Sequence, residues 1–304
     1  MLQKLSKNLK VICPPVQPRF PYGNCLYVDG EEPLVIDAGA GKRAFSDIMP
    51  EKVSRVLLSH CHYDHIHSAG LFRKAGIMAG CQEEKCYAQE SNWVEYNGYR
   101  DWDEVLYVAK FAMSQIESLY PDDVPVMPYF PTVTLAGTFS DGQVFDSGSL
   151  KVTALHLPGH TWGHYGFYIE AEGVMFSADI DLVKSGPWMG ATTSDIDQLT
   201  HSVQRLKEIR PRVIVPSHRR VQTSDLGQQL DAFLGVVLKR QEHVLELLKT
   251  PHTLEQLADH RMFYHDPKTS KQLYWERMIM KTHISYSLRH NLIKEVSPGL
   301  YQRI

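Results

Sequence analysis

The segment Ser59-His60-Cys61-His62-Tyr63-Asp64-His65 places four potential metal ligands, His60, His62, Asp64 and His65, within six residues. Imidazole nitrogen and carboxylate oxygen are the donors preferred by zinc and other borderline divalent metals. Three more candidates lie downstream. His160 follows Pro158-Gly159, Asp179 follows Phe176-Ser177-Ala178, and His218 follows Val215-Pro216-Ser217. Five histidines and two aspartates could thus assemble one metal centre able to activate water. His60 and His62 are two residues apart, so an extended segment projects both to one face. The competing reading is a solvated histidine cluster, and the three downstream candidates weigh against it.

Something must hold these side chains still. Each sits just beyond an apolar run, Val56–Leu58, Leu150–Leu155, Val174–Phe176 or Val213–Val215. That is where open α/β sheets place their ligand sites. Further strands are expected at Asn8–Ile12, Cys25–Val28, Leu34–Ile36, Val53–Leu58, Thr132–Leu135 and Tyr165–Glu170, with Asp29-Gly30 as a hairpin turn. Lys42–Ile48 predicts a short helix, and His67–Ala75 a helix closed by Gly76. Trp102–Leu119 and Ile196–Ile209 carry helical spacing, and Pro121–Pro131 marks a loop. Strand-rich and helix-bearing stretches occur twice, over about 1–120 and 130–220. That points to two similar halves packed sheet to sheet.

The texture changes after residue 224. Asp225–Leu248 lines up Leu230, Phe233, Val237, Leu245 and Leu248 on one helical stripe. Thr250-Pro251 breaks it, and Thr253 with Gln256 reads as a capping box. Lys271–His290 predicts another helix and Gly299–Arg303 a terminal strand. The expected division is a catalytic domain at 1–224 and a helical module at 225–304.

The chain has 304 residues, 43% hydrophobic and 22% charged, with a net charge of −3 and 15 histidines. It is not a protein that coats nucleic acid or anionic membrane through overall basicity. No signal peptide is legible after Met1, and no apolar run approaches the roughly 18 residues of a membrane span. Five scattered cysteines without Cys-x-x-Cys spacing read as reduced thiols. The expectation is a cytoplasmic protein without membrane contact.

With His60-x-His62-x-Asp64-His65 followed by His160, Asp179 and His218, the chain resembles the metallo-β-lactamase-fold hydrolases over about residues 1–223. The resemblance implies an α/β fold, a four-layer αβ/βα sandwich. It implies two divalent metal ions, zinc first, with iron or manganese as alternatives. His60, His62 and His160 would hold one ion, Asp64, His65 and His218 the other, and Asp179 would bridge them. Asp64 would also orient a metal-held hydroxide and so serve as the catalytic carboxylate. The family's usual glycines before the bridging Asp and the last His are Ala178 and Ser217 here. His164, Arg219 and Arg220 are candidates for substrate contact, with structural roles as the alternative.

The expected reaction is hydrolysis of a small-molecule ester, thioester or phosphodiester. Pro158–His164 is similar to a string in glyoxalase II-type thioesterases. Residues 251–304 resemble the winged-helix-like tail of lactamase-like-protein-2-type hydrolases, some of which cut single-stranded RNA. Residues 252–304 carry a net charge of +3 against −6 for the rest. That bias fits nucleic acid, and the alternative is a module that shapes the cleft or a homodimer contact. A mononuclear-iron persulfide dioxygenase and a non-enzymatic regulator on a retained metal site also stay open.

Overall fold

The computed structural model describes residues 1–99, 120–125, 132–267 and 270–304. Two sheets carry the main body of the chain. The first runs in chain order, β1 (Leu2–Lys4), β2 (Leu9–Ile12), β3 (Cys25–Val28), β4 (Leu34–Ile36), β5 (Arg55–Leu58), β6 (Gly76–Gly80) and β7 (Gly137–Phe139). Its first four strands are antiparallel, and β4 to β7 are parallel. The second has the order β12-β11-β10-β9-β8, from Val213–Pro216, Val174–Ala178, Tyr165–Ile169, Lys151–His156 and Val144–Asp146.

Period-two patterning explains why the sheets stack. Leu26, Val28, Leu34, Ile36 and Leu57 meet Phe167, Ile169, Val174, Phe176 and Val215 in one core. Their strand neighbours Cys25, Val35, Val56 and Leu58 face the other way, onto Phe45, Phe72, Tyr87 and Trp93. On the far side, Met175 and Ile214 meet Leu199, Val203 and Leu206 of the helix Ile196–Ile209. The result is four layers, with apolar cores between them, as the resemblance implied.

The C-terminal module has the order helix Leu226–Leu247, β13 (His252–Thr253), helix Leu254–Ala258, helix Ser270–Arg289, β14 (Ile293–Ser297) and β15 (Leu300–Arg303). The three strands pair in the order β13-β15-β14, a winged-helix arrangement. Thr253 and Gln256 form the expected reciprocal capping box. The long helix Leu226–Leu247 serves two cores. Leu230, Phe233 and Val237 cover the second sheet, while Val244 joins Leu257, Ile279 and Ile284 in the module.

Several expectations fail, for identifiable reasons. The stretch 67–75 holds only a single turn at Ala69–Leu71, and Gly76 opens strand β6 rather than capping a helix. Thr132–Leu135 is not a strand; pairing begins later, at Gly137–Phe139, and joins the first sheet. Strands β6 and β8 were not expected, because β6 carries a glycine at each end and β8 is three residues long. The expected helix Trp102–Leu119 lies outside the described residues.

One buried group sets an acid limit. His283 is 1% exposed, with Nδ1 2.9 Å from Gln241 Oε1. Burial pushes its imidazole down to about 3. A group depressed in the fold contributes stability above its unfolded value of about 6.5, and that stability is lost as pH falls toward 3. We expect His283→Gln to flatten the stability-against-pH slope by up to about 1.4 kcal/mol per pH unit below pH 6. Urea titrations between pH 7 and 4.5 would check it, and parallel slopes for the two proteins would contradict it.

Candidate metal centre

The ligand candidates come from the C-terminal ends of strands, as their spacing predicted. Strand β5 ends at Leu58, and Ser59–Cys61 leads to His62, which is extended (φ −66, ψ 147) at the start of the helix Tyr63–Ile66. That turn of helix carries Asp64 and His65. Gly159 (φ +128) bends the chain after β9 so closely that a Cβ would lie 2.2 Å from the Leu199 nitrogen. Only glycine permits this approach, and it presents His160. Asp179 follows β11, and His218 follows β12.

Two groups of donors result. His60, His62, His160 and Asp179 offer ligand atoms within 4.8 Å of one another, and so do Asp64, His65 and His218. His62 Nδ1 lies 2.9 Å from both His60 Nε2 and His160 Nε2. Asp179 stands between the groups. Its Oδ2 is 3.2 Å from His160 Nε2, while Oδ1 is 3.0 Å from His65 Nε2 and 3.4 Å from His218 Nε2. His218 Nε2 is also 3.3 Å from Asp64 Oδ2.

These donors fit divalent metal ions. His65 Nε2 and Asp179 Oδ1 are 3.0 Å apart, yet neither is aligned for a hydrogen bond with any described group. Buried polar atoms left unpaired are costly, and a shared cation would satisfy both. Burial and the neighbouring imidazoles push His60 and His62 well below the usual histidine range, so both keep free lone pairs. Burial opposes the charged form of Asp179, but His218, His65 and His160 outweigh it and hold the carboxyl well below its usual range. Burial likewise pulls His218 down, but Asp179 and Asp64 raise it to about 9. The centre is therefore a ring of imidazoles around a carboxylate.

Surrounding residues fix the ligands. Asp37 is fully buried and accepts from Ser59 N–H at 2.7 Å and Ser59 Oγ at 2.8 Å, with His65 Nδ1 at 2.7 Å. That pairing leaves His65 Nε2 to face the site. Glu83, also buried, accepts from Cys61 N–H at 2.6 Å, Tyr96 OH at 2.6 Å and Thr161 Oγ1 at 2.7 Å. It thereby ties the loop of His60 and His62 to the loop of His160. Neither residue was singled out from sequence. Asp37 ends an apolar strand just as Asp179 does, so the signal was present; Glu83 carries none. Glu83→Gln puts an amide where three donors converge, and metal affinity should fall about 10- to 100-fold. Chelator competition would measure it, and an unchanged midpoint would contradict the role.

The candidate substrate contacts resolve differently. His164 turns both ring nitrogens to protein groups. Its Nδ1 is 2.8 Å from Leu157 O, and its Nε2 accepts from Asp179 N–H at 3.0 Å. Burial and His160 push it down to about 3, consistent with a neutral ring that positions Asp179. Arg219 donates to Leu182 O and, at 2.8 Å, to Gln229 Oε1, so this guanidinium braces the fold rather than awaiting an anion. Arg220 is exposed. Ala178 adopts φ +44, a strained value for a residue with a Cβ, and Asp37 (φ +62) and Leu182 (φ +56) share it. Asp181, 7% exposed, is a further carboxyl beside the site; burial and Asp179 push it up to about 7.

Comparison with known proteins places this geometry. An atrochrysone carboxyl ACP thioesterase from Cryptosporiopsis sp. is 25% identical over 230 residues, 72% of this chain and 55% of that protein. A beta-lactamase-like protein 2 homolog from Drosophila melanogaster is 23% identical over 194 residues, 64% of this chain and 54% of that one. The matched region is thus about half the length of these relatives. A metallo-beta-lactamase family protein from Thermus thermophilus shares the fold, with a TM-score of 0.72 at 22% identity, covering 99% of this chain and 100% of that one. No described helix is long and apolar enough to cross a membrane. The sequence pattern of the Metallo-beta-lactamase superfamily matches residues 18–218, the span that supplies every candidate ligand. With that match and the four-layer sandwich, the chain belongs to the metallo-beta-lactamase superfamily.

Proposed function

We propose that the protein is a dinuclear metal-dependent hydrolase acting on a small-molecule thioester. The observation that carries the dinuclear part is the placement of Asp179, whose two oxygens face two separate donor groups. His60, His62 and His160 would hold one ion and Asp64, His65 and His218 the other, with Asp179 facing both groups. Zinc is the first expectation, given five imidazoles and no thiolate in the set. Two such ions would polarise a carbonyl and supply a nucleophile at neutral pH. Asp64, 6% exposed and beside His218, would orient a metal-held water by accepting its hydrogen bond. His164 keeps the Asp179 backbone in place, and Asp37 keeps His65 turned inward.

The thioester is favoured by the thioesterase among the relatives. The RNA reading loses support at the C-terminal module. In helix-turn-helix modules the second helix of the pair reads the nucleic acid. Here that helix, Ser270–Arg289, buries Tyr274, Trp275, Met278, Thr282 and His283, and Tyr274 and Thr282 bond Gly98 and Met189 of the catalytic body. The proposed division is therefore a catalytic domain at 1–224 with a module at 225–304 that builds one flank of the cleft. Five cysteines without disulfides fit a reducing, cytoplasmic setting.

The test is a substrate panel on the metal-loaded full chain: an acyl thioester, a lactone, a bis-aryl phosphodiester and a short RNA. The thioester should turn over fastest. RNA cleavage without thioester hydrolysis would overturn the proposal.

A further inference from the structure

Trp188 lies in the irregular stretch between β11 and the helix Ile196–Ile209. Its carbonyl oxygen is 2.8 Å from His160 Nδ1. In the neutral ring that metal ligation requires, that contact keeps the proton on Nδ1 and turns the Nε2 lone pair toward His62 Nδ1 at 2.9 Å and Asp179 Oδ2 at 3.2 Å. The indole also stands edge-on to His62, with ring centres 5.3 Å apart at 82°. One residue thus fixes the tautomer of one ligand and walls in a second.

The contacts that hold Trp188 come from the C-terminal module. Its Nε1–H donates to Tyr264 OH at 3.1 Å. Its ring meets Trp275 with centres 5.0 Å apart at 73°. On one side, Arg240 Nη2 donates to Ser185 O at 3.2 Å; on the other, Thr282 Oγ1 donates to Met189 O at 3.0 Å. Residues 185–189 are thus gripped from the long helix, the 264 segment and the last helix. Without those contacts, an irregular segment of this length would sample several conformations, and the Trp188 carbonyl would leave its line to His160.

We infer that Trp188 is a positioning residue through which the C-terminal module sets metal affinity at the His60/His62/His160 group, and not at the Asp64/His65/His218 group. This rests on the dinuclear reading above. It makes the module part of the metal centre rather than an appendage.

The experiment loads the full chain with zinc or cobalt(II) and follows metal release against a chelator, in wild type, Tyr264→Phe, Trp275→Leu and Trp275→Phe. Tyr264→Phe removes one hydroxyl and preserves shape, so it reports even if Trp275→Leu fails to fold. The expected result is one ion released at about tenfold lower chelator concentration in Tyr264→Phe and Trp275→Leu, with the other midpoint unmoved. Cobalt(II) absorption should change for that ion alone, and Trp275→Phe should restore it. Equal weakening of both ions, or no shift in either variant, would overturn the inference. Uptake of a single ion by wild type would overturn the dinuclear reading instead; the inference would then stand or fall on whether that ion's midpoint moves.

Discussion

Asp179→Asn should abolish thioester hydrolysis, by more than about 100-fold, and leave the chain with less than its full metal complement. Loss of an outer partner of a metal ligand alone costs about 10- to 100-fold; a residue facing both donor groups should cost more. The carboxylate lies 3.0 Å from His65, 3.2 Å from His160 and 3.4 Å from His218. Asparagine keeps the shape but offers one oxygen and no charge. One donor group then faces an amide nitrogen, which cannot bind a cation. Elemental analysis and a thioester assay on the same preparation would check it. Full metal content with wild-type turnover would show that Asp179 does not bridge.

Gly39→Ala should be nearly as damaging, although Gly39 supplies no metal ligand. A Cβ there would lie 1.6 Å from the Asp64 carbonyl oxygen and 3.2 Å from the His65 Cα. The backbone cannot recede cheaply. Ala38 N–H donates to His65 O at 2.7 Å, Ser68 N–H to Ala38 O at 3.0 Å, and Gly23 N–H to Gly39 O at 3.0 Å. The helix Tyr63–Ile66 would have to move, carrying Asp64 and His65 out of the site. Overpacking of this kind costs about 1–3 kcal/mol, and more where backbone is the obstacle. We expect a stability loss of about 3 kcal/mol and loss of metal from the Asp64/His65/His218 group. Gly70→Ala is the matched control, because nothing lies within 4 Å of a Cβ there. If both variants unfold at the wild-type denaturant concentration, the close approach at Gly39 is not the constraint described.

The candidate site was legible in sequence because its logic is local. Each ligand segment follows an apolar strand, and a strand's C-terminal end needs only an apolar run and a turn to be recognised. His60-x-His62-x-Asp64-His65 is compact enough to read without the fold. What was not legible depends on distant partners. Glu83 acts by meeting Thr161, 78 positions away, and Trp188 acts through Tyr264, 76 positions away. Side-chain direction was equally hidden. His164 and Arg219 have the right chemistry and neighbourhood for substrate, yet both turn to backbone carbonyls. In the fold, the stacked sheets followed from strand-rich and helix-bearing stretches that occur twice, with runs such as Leu34–Ile36 apolar throughout and buried. Gly76–Gly80 escaped notice because glycines at both ends imitate turn punctuation. The first is not demanded by packing, since a Cβ on Gly76 would make only ordinary contact.

The central claim is that seven residues hold two divalent ions for hydrolysis. The direct measurement is elemental analysis of the purified full chain, with thioester turnover recorded on the same sample before and after chelation. The account predicts two divalent ions per chain, zinc foremost, with turnover lost on chelation and restored by added metal. A single iron per chain with thiol-dependent oxygen uptake, or thioester turnover that survives complete metal removal, would contradict it.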